Sequence, residues 1–163
     1  MENKLIMILE EINFTSRYIA LCNKFSDFNN GINFSKQEIL NCLINNNIQM
    51  KFIPKEKLFF KDYFINDITI RFLFEYKYGC IDCRYWIFKN EDTVFNGSFR
   101  EVSLVEDKGF NEKVSYRFPI ATSLHDLQEI LKKIIELNSD FIIEFKREVL
   151  KLSSEEIKTL FKR

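Results

Sequence analysis

The chain has 163 residues, of which 46% are hydrophobic and 29% charged, and its 24 basic residues balance its 24 acidic ones. This composition is typical of a globular protein that buries its core as a single domain, residues 1–163, and it excludes a disordered chain. Because the net charge is zero, the protein lacks the overall positive field that holds nucleic acids or anionic membranes, and we expect neither as a partner.

The N-terminal region has apolar residues at helical spacing up to about Phe28 and predicts one helix or two abutting helices. Its apolar patch contains Glu10 and Glu11 and is followed by no small-residue cleavage site, which argues against a secretory signal. No stretch approaches the roughly 18 uncharged apolar residues of a membrane span. We therefore expect a cytoplasmic protein whose four cysteines are reduced and buried: Cys22, Cys42, Cys80 and Cys83.

The next predicted helix begins with a capping box, in which Ser35 is followed three residues later by Glu38, and it ends in the asparagines at 45–47. The pattern beyond it is mixed. A short strand can precede Pro54 and another can occupy residues 58–64. Because proline cannot donate to a strand ladder, the first of these is expected at a sheet edge or in a loop.

The segment from Ile68 to Phe88 predicts a β-hairpin that organises the rest of the fold, since apolar and polar residues alternate along both arms. A two-residue turn at Tyr78 and Gly79 fixes the register, although tyrosine is unusual in such a turn and a longer loop is the alternative. On the second face this register places Arg71 opposite Trp86 and suggests a cation–π contact. On the first face it pairs Tyr76 with Ile81, Phe74 with Cys83, Phe72 with Tyr85 and Ile70 with Ile87.

The region after the hairpin is less regular. Residues 93–106 fit a strand or a helix, and both readings stay open, whereas alternation over 114–120 predicts a further strand. Ser123 is the expected cap of the longest helix, which the polar residues 138–140 could divide in two. A short terminal helix is expected to begin at residues 153–154.

Together these elements predict an α+β fold. We expect an antiparallel sheet of about four or five strands, with the N-terminal helices and the long C-terminal helix packed on it. The residues expected in its core are Phe72, Phe74, Tyr85, Leu131, Ile134 and Phe141.

Cys80 and Cys83 have the spacing of a zinc-binding or redox-active pair. Within a strand, however, an odd offset directs the two thiols to opposite faces. Neither of the other cysteines belongs to a second pair that could complete a zinc site. We therefore expect structural thiols, with no bound metal and no cofactor.

His125 is the only histidine, so a Ser-His-Asp or Cys-His mechanism would depend on it. It falls in the solvated first turn of the last helix, beside Asp126. The sequence contains no glycine-rich phosphate loop, HExxH, GxSxG or Rossmann fingerprint. We expect no enzymatic activity. A small hydrolase or transferase that works through His125 and a nearby carboxylate is the less favoured alternative.

An acidic segment near three aromatic residues is the strongest candidate for a binding surface. Its aromatic residues, expected to be exposed, are Phe95, Phe99 and Phe110. Negative charge around exposed aromatic rings suits a protein-binding surface for a basic partner, and an ordinary polar loop is the alternative. The candidate partner-binding residues are Glu91, Asp92, Glu101, Glu106 and Asp107.

The order of these parts, with the segments EYKYGCIDCRYWIF and YRFPIATSLHDLQEILKKII, resembles that of small immunity proteins from bacterial contact-dependent inhibition and other polymorphic toxin systems. The resemblance lies in the order of elements over residues 68–151 and involves no catalytic motif. It implies a cytoplasmic protein that binds and blocks one cognate toxin, often a nuclease. A structural or regulatory protein-interaction module is the alternative.

Overall fold

The computed structural model describes residues 4–152 and residue 156. It shows an α+β fold in which a five-stranded antiparallel sheet is covered on one face by helices. The helices are α1 (Lys4–Glu11), α2 (Phe14–Lys24), α3 (Lys36–Asn45), α4 (Phe99–Glu106), α5 (Phe110–Lys113) and α6 (Leu124–Val149). The strands are β1 (Lys51–Ile53), β2 (Leu58–Ile65), β3 (Ile68–Lys77), β4 (Cys80–Lys89) and β5 (Asp92–Ser98). None of the helices in the described part of the chain is both long and apolar enough to cross a bilayer.

The sheet is a meander in which each strand pairs with the next, in the order β1-β2-β3-β4-β5. The β3–β4 hairpin has the predicted register, with Phe72 opposite Tyr85. Tyr78 and Gly79 form its two-residue turn, with φ values of 52° and 80°. Positive φ at both positions is the requirement of a type I′ turn, so the two-residue reading is confirmed despite the tyrosine.

The hairpin turn is packed closely against two other segments. A Cβ atom added to Gly79 would lie 2.3 Å from the carbonyl oxygen of Ala121 and 2.9 Å from the Cα atom of Gly31. The backbone N–H of Ala121 donates to the carbonyl of Gly79 at 2.8 Å. Glycine is therefore needed at position 79 both for its positive φ and for this close approach.

The core lies between the helices and one face of the sheet, here called the inner face. Aromatic rings join the layers: the ring centroids of Tyr85 and Phe141 are 4.3 Å apart, and those of Tyr85 and Phe99 are 4.9 Å apart. The six predicted core residues, Phe72, Phe74, Tyr85, Leu131, Ile134 and Phe141, are all buried. The predicted packing of the long helix on the sheet is thus confirmed.

Helix α6 continues without a break through the polar residues at its centre. The side chain of Asn138 is buried there and faces the sheet. Its Oδ1 atom accepts a hydrogen bond from the hydroxyl of Tyr85 at 2.8 Å, and its Nδ2 atom donates to the hydroxyl of Tyr63 at 3.0 Å. The amide that could have ended the helix instead supplies a polar link to the sheet, because both of its ends have partners.

The structure decides both alternatives that the sequence left open. The N-terminal region forms two helices, α1 and α2, with Asn13 at φ 54° before the second. Residues 93–106 contain both structures, since all of β5 but its first residue is followed directly by α4. Their boundary is a capping box in which Ser98 Oγ accepts from the Glu101 N–H, while a Glu101 carboxylate oxygen accepts from the Ser98 N–H at 2.6 Å.

The predicted strand at 114–120 is wrong. The segment is a run of bends with one isolated bridge, between Cys80 and Ile120, at the part of β4 that lies beyond its pairing with β5. The Pro119 carbonyl accepts from the Ile81 N–H at 3.1 Å as part of this bridge, whereas the Arg117 carbonyl accepts from the Tyr18 hydroxyl at 2.6 Å. Because Pro119 has no N–H, the ladder cannot continue through it. The expected terminal helix falls almost entirely outside the described residues.

Candidate functional site

The face of the sheet opposite the helices, here called the outer face, is unusually rich in aromatic side chains. Cross-strand partners share a face, so the register defines its rows. One row is Phe64, Thr69, Phe88 and Thr93, the next is Asp62, Arg71, Trp86 and Asn96, and the third contains Phe60, Leu73, Arg84 and Ser98.

Arg71 lies at the centre of the outer face. Its guanidinium donates to both carboxylate oxygens of Asp62, from Nε at 2.8 Å and from Nη2 at 3.0 Å. The same group lies 4.6 Å from the ring centroid of Phe60 and 5.8 Å from that of Phe88. Trp86 does lie opposite Arg71, as predicted, but the expected cation–π contact between them is wrong, because the guanidinium lies over Phe60 and Phe88. The two hydrogen bonds to Asp62 fix the guanidinium beside the neighbouring rings instead.

The aromatic side chains of the outer face contact one another across and along the strands. The ring centroids of Trp86 and Phe88 are 4.9 Å apart, and the indole N–H of Trp86 donates to Thr93 Oγ1 at 3.0 Å. Both rings are half-buried, whereas Phe64, in the same row as Phe88, is 75% exposed. Trp86 and Phe88 thus contact other residues of the sheet: each other, Thr93 through the indole N–H, and Arg71 through the ring of Phe88.

Two tight turns follow the strands that carry Phe64 and Phe88, and both turns contain acidic residues. Asn66 and Asn90 begin these turns with φ values of 54° and 55°, and the N–H of Asn90 donates to the carbonyl of Asp67 at 2.9 Å. The turns are therefore neighbours at one end of the sheet. We call this end, comprising Phe64, Trp86, Phe88, Asp67, Glu91 and Asp92, the turn end.

The structure does not gather the five predicted partner-binding residues into one surface. Glu91 and Asp92 are exposed at the turn end. Glu101, Glu106 and Asp107 follow the other end of β5, and a strand of seven residues separates the two groups by about 20 Å. The acidic segment is thus divided between the two ends of one strand.

The three later carboxylates are engaged in contacts within the protein. Glu101 completes the cap of α4, and Glu106 accepts a hydrogen bond from the Thr15 hydroxyl at 2.6 Å. Asp107 accepts from the Gly109 N–H at 2.9 Å and forms an ion pair with Lys113 at 2.5 Å. The hydrogen bond from Lys113 lowers the pKa of Asp107 below its usual value, and the bond from Gly109 adds to this.

The expectation that Phe95, Phe99 and Phe110 are exposed is wrong, since all three are buried. Phe99 packs on Tyr85 of the inner face, and Phe110 stacks on Tyr18 with ring centroids 5.9 Å apart. The rings that accompany surface carboxylates are instead those of the turn end. The sequence contained a signal for Phe88, because the hairpin register places it on the same face as Arg71. Phe64 could be placed only once the β2–β3 pairing was known.

The cysteine spacing does not form a reactive pair. Cys83 lies on the inner face, and burial raises its pKa well above the usual thiol value. The expectation that all four cysteines are buried is wrong for Cys80, which is half-buried near the end of the hairpin, although burial still raises its pKa. Both thiolates are disfavoured, which is the opposite of what thiol chemistry requires. Among the described residues, no three histidine, cysteine or acidic side chains are arranged to hold a metal ion.

His125 is exposed and borders an open depression of about 450 Å³. The carboxylates around it have structural partners. Asp126 accepts from the backbone N–H and the hydroxyl of Thr122 at 3.0 and 2.8 Å, and Glu129 is paired with Lys24 at 2.5 Å. These contacts cap α6 and join it to α2, and they leave the imidazole without a positioned base or nucleophile among them.

No family model matches the chain, and no curated protein or solved structure shows significant similarity to it.

Proposed function

We propose that this protein acts by binding another protein, as an immunity protein that neutralises a cognate bacterial toxin in the cytoplasm of the producing cell. The observation that carries the proposal is the outer face. Aromatic side chains and arginines line it, while the helices lie on the inner face. Aromatic residues and arginine are the types enriched at the centres of protein interfaces.

The size of the outer face suits such a contact. The four longer strands, β2 to β5, have seven to ten residues each, and at about 4.8 Å between strands and about 3.3 Å per residue they present roughly 450 to 650 Å². One side of a standard interface buries about 800 Å². A partner that covers this face and a little of its border therefore has enough area for stable binding.

The aromatic hairpin, the polar loop after it and the long helix favour a toxin as the partner, through their resemblance to immunity proteins; the strand expected at 114–120 is not part of this support. Binding would block the toxin by covering its active site or its substrate-binding surface. A structural or regulatory interaction module could use the same face, and it is the second candidate. The adjoining gene distinguishes the two, since an immunity gene lies directly downstream of its toxin gene.

The test is protection of cells that express the toxin domain encoded by that adjoining gene. Coexpression of this protein is expected to restore growth, and the purified pair is expected to form a stable complex. Failure of both growth rescue and complex formation would refute the proposal.

A parallel variant tests the enzymatic alternative. His125→Ala is expected to leave protection unchanged, because the side chain is exposed and lies outside the outer face. Loss of protection by a folded His125→Ala protein, with toxin binding intact, would favour a small hydrolase or transferase instead.

A further inference from the structure

We infer that the turn end of the outer face is the part that contacts the partner, and that it receives an arginine or lysine side chain from a basic surface of that partner. This inference rests on the proposed function and specifies its contact surface. Its basis is one exposed ring, that of Phe64, on the same face as the half-buried Trp86 and Phe88, together with exposed acidic residues at the two turns of that end.

The outer face already holds one guanidinium of its own in this manner. Arg71 lies over the ring of Phe60 while Asp62 accepts both of its hydrogen bonds. A ring that accepts a cation on its face and a carboxylate that accepts hydrogen bonds act together on one group. The arrangement shows which chemistry this sheet face accommodates.

The turn end also has rings and carboxylates, since each of its two turns begins two residues after an outer-face ring and carries an acidic residue. The ring on β2 and the β4–β5 turn are about 14 Å apart, so they would contact different side chains of one basic surface. The ring of Phe64 is 75% exposed, and the carboxylates of Glu91 and Asp92 belong to exposed residues. Among the described residues, no side-chain hydrogen bond or ion pair engages either carboxylate. Asp67, the third acidic residue, lies 3.9 Å from the ammonium group of Lys89. The turn end thus has three carboxylates and one lysine, so its net charge is negative.

This charge selects among possible occupants. A nucleic acid could stack on the rings, but its phosphates would be repelled by the carboxylates. A second copy of the chain would bring a negative turn end of its own. A protein with a basic surface is attracted over a distance and gains the cation–π contacts on arrival.

The experiment measures binding of the purified toxin domain from the adjoining gene to two pairs of variants. The double variant E91K/D92K is expected to raise Kd about tenfold, chiefly through slower association, and to weaken its dependence on salt. Its matched control is E10K/E11K, which makes the same charge change at an exposed acidic pair on α1. The control is expected to bind like the unmodified protein.

The second pair tests the aromatic contribution. Phe64→Ala is expected to raise Kd about tenfold through faster dissociation, as truncation of an aromatic anchor does. Ile44→Ala, at a side chain of α3 that is 65% exposed, is the control and is expected to leave Kd unchanged. Circular dichroism and urea unfolding verify that each variant is folded.

The outcomes distinguish a wrong contact surface from a wrong function. If the toxin binds and the turn-end variants behave like their controls, the assigned surface is wrong while the proposed function stands. If the toxin does not bind the unmodified protein, the function fails and this inference fails with it. Tight binding of a short fluorescent single-stranded RNA that competes with the toxin and is strengthened by E91K/D92K would also overturn the assignment to a basic protein.

Discussion

The buried amide of Asn138 joins the long helix to the sheet through the hydroxyls of Tyr85 and Tyr63. Asn138→Ala is expected to lower the free energy of unfolding by about 1 to 3 kcal/mol, because the buried hydroxyl of Tyr85 loses its acceptor. Urea unfolding measures the change. In a Tyr85→Phe background the same substitution should cost clearly less, and equal costs in both backgrounds would contradict the proposed link.

Buried thiols and phenols make stability sensitive to alkaline pH. Burial raises the pKa of Cys22 from 9.0 to about 12, and it raises the pKa values of Cys83 and Tyr18 well above their usual ranges. Between about pH 9 and 12 the unfolded chain loses protons that the folded protein retains. The free energy of unfolding should therefore fall as the pH rises through this window.

Urea unfolding at a series of pH values tests this dependence. A decline is expected to begin near the ordinary thiol pKa, and a Cys22→Ala variant should show a shallower one. An unchanged midpoint from pH 8 to pH 11 would show that these groups are not protected from ionisation in the fold.

At the scale of elements, the β3–β4 turn offers two opposite substitutions. Gly79→Ala is expected to destabilise the protein, because its Cβ would meet the carbonyl of Ala121 at 2.3 Å. Tyr78→Asn should instead raise the free energy of unfolding by about 0.5 to 1 kcal/mol, since asparagine tolerates positive φ better than tyrosine. Thermal unfolding of both variants measures the difference, and a harmless Gly79→Ala would disprove the close packing of the turn.

The sequence predicted correctly those elements whose side-chain pattern matches that of the strand paired with them. Alternation along both arms fixed the hairpin register, since a shift of one residue would have turned Asp82 and Arg84 into the core. Alternation over 114–120 misled because it reports only a preference for extended backbone, and a strand also needs a neighbour with matching hydrogen bonds. Residues 93–106 stayed ambiguous because a helix cap, Ser98 with Glu101, ends a strand there.

At the scale of the whole molecule, the aromatic core should unfold as one unit if residues 1–163 form a single domain. Phe72 is fully buried between the sheet and Phe99. Phe72→Ala is expected to lower the free energy of unfolding by about 3 to 5 kcal/mol. Fluorescence of Trp86 on the outer face and circular dichroism of the helices should give coincident transitions. Two separated transitions would contradict the single domain.

The candidate site was predictable only in part, for a physical reason. Glu91 and Asp92 could be identified as surface carboxylates from their place in a polar break of the chain. The rings of the turn end are far apart in sequence, and only the pairing of β2, β3 and β4 brings Phe64 and Phe88 into one row. A binding surface made of cross-strand neighbours cannot be predicted from the sequence until the register of each strand is known.

The meander has a consequence for the order of events in folding. Every strand pairs with a strand adjacent in sequence, so the sheet forms through contacts of short range, which are quick to make. The helices that cover the sheet contact it over longer sequence distances, because α1, α2 and α3 precede the sheet and α6 follows it. During synthesis the apolar inner face therefore emerges before the helix that completes its protection. A cell that makes this protein must keep a nascent, half-covered sheet from associating with other chains until α6 has left the ribosome.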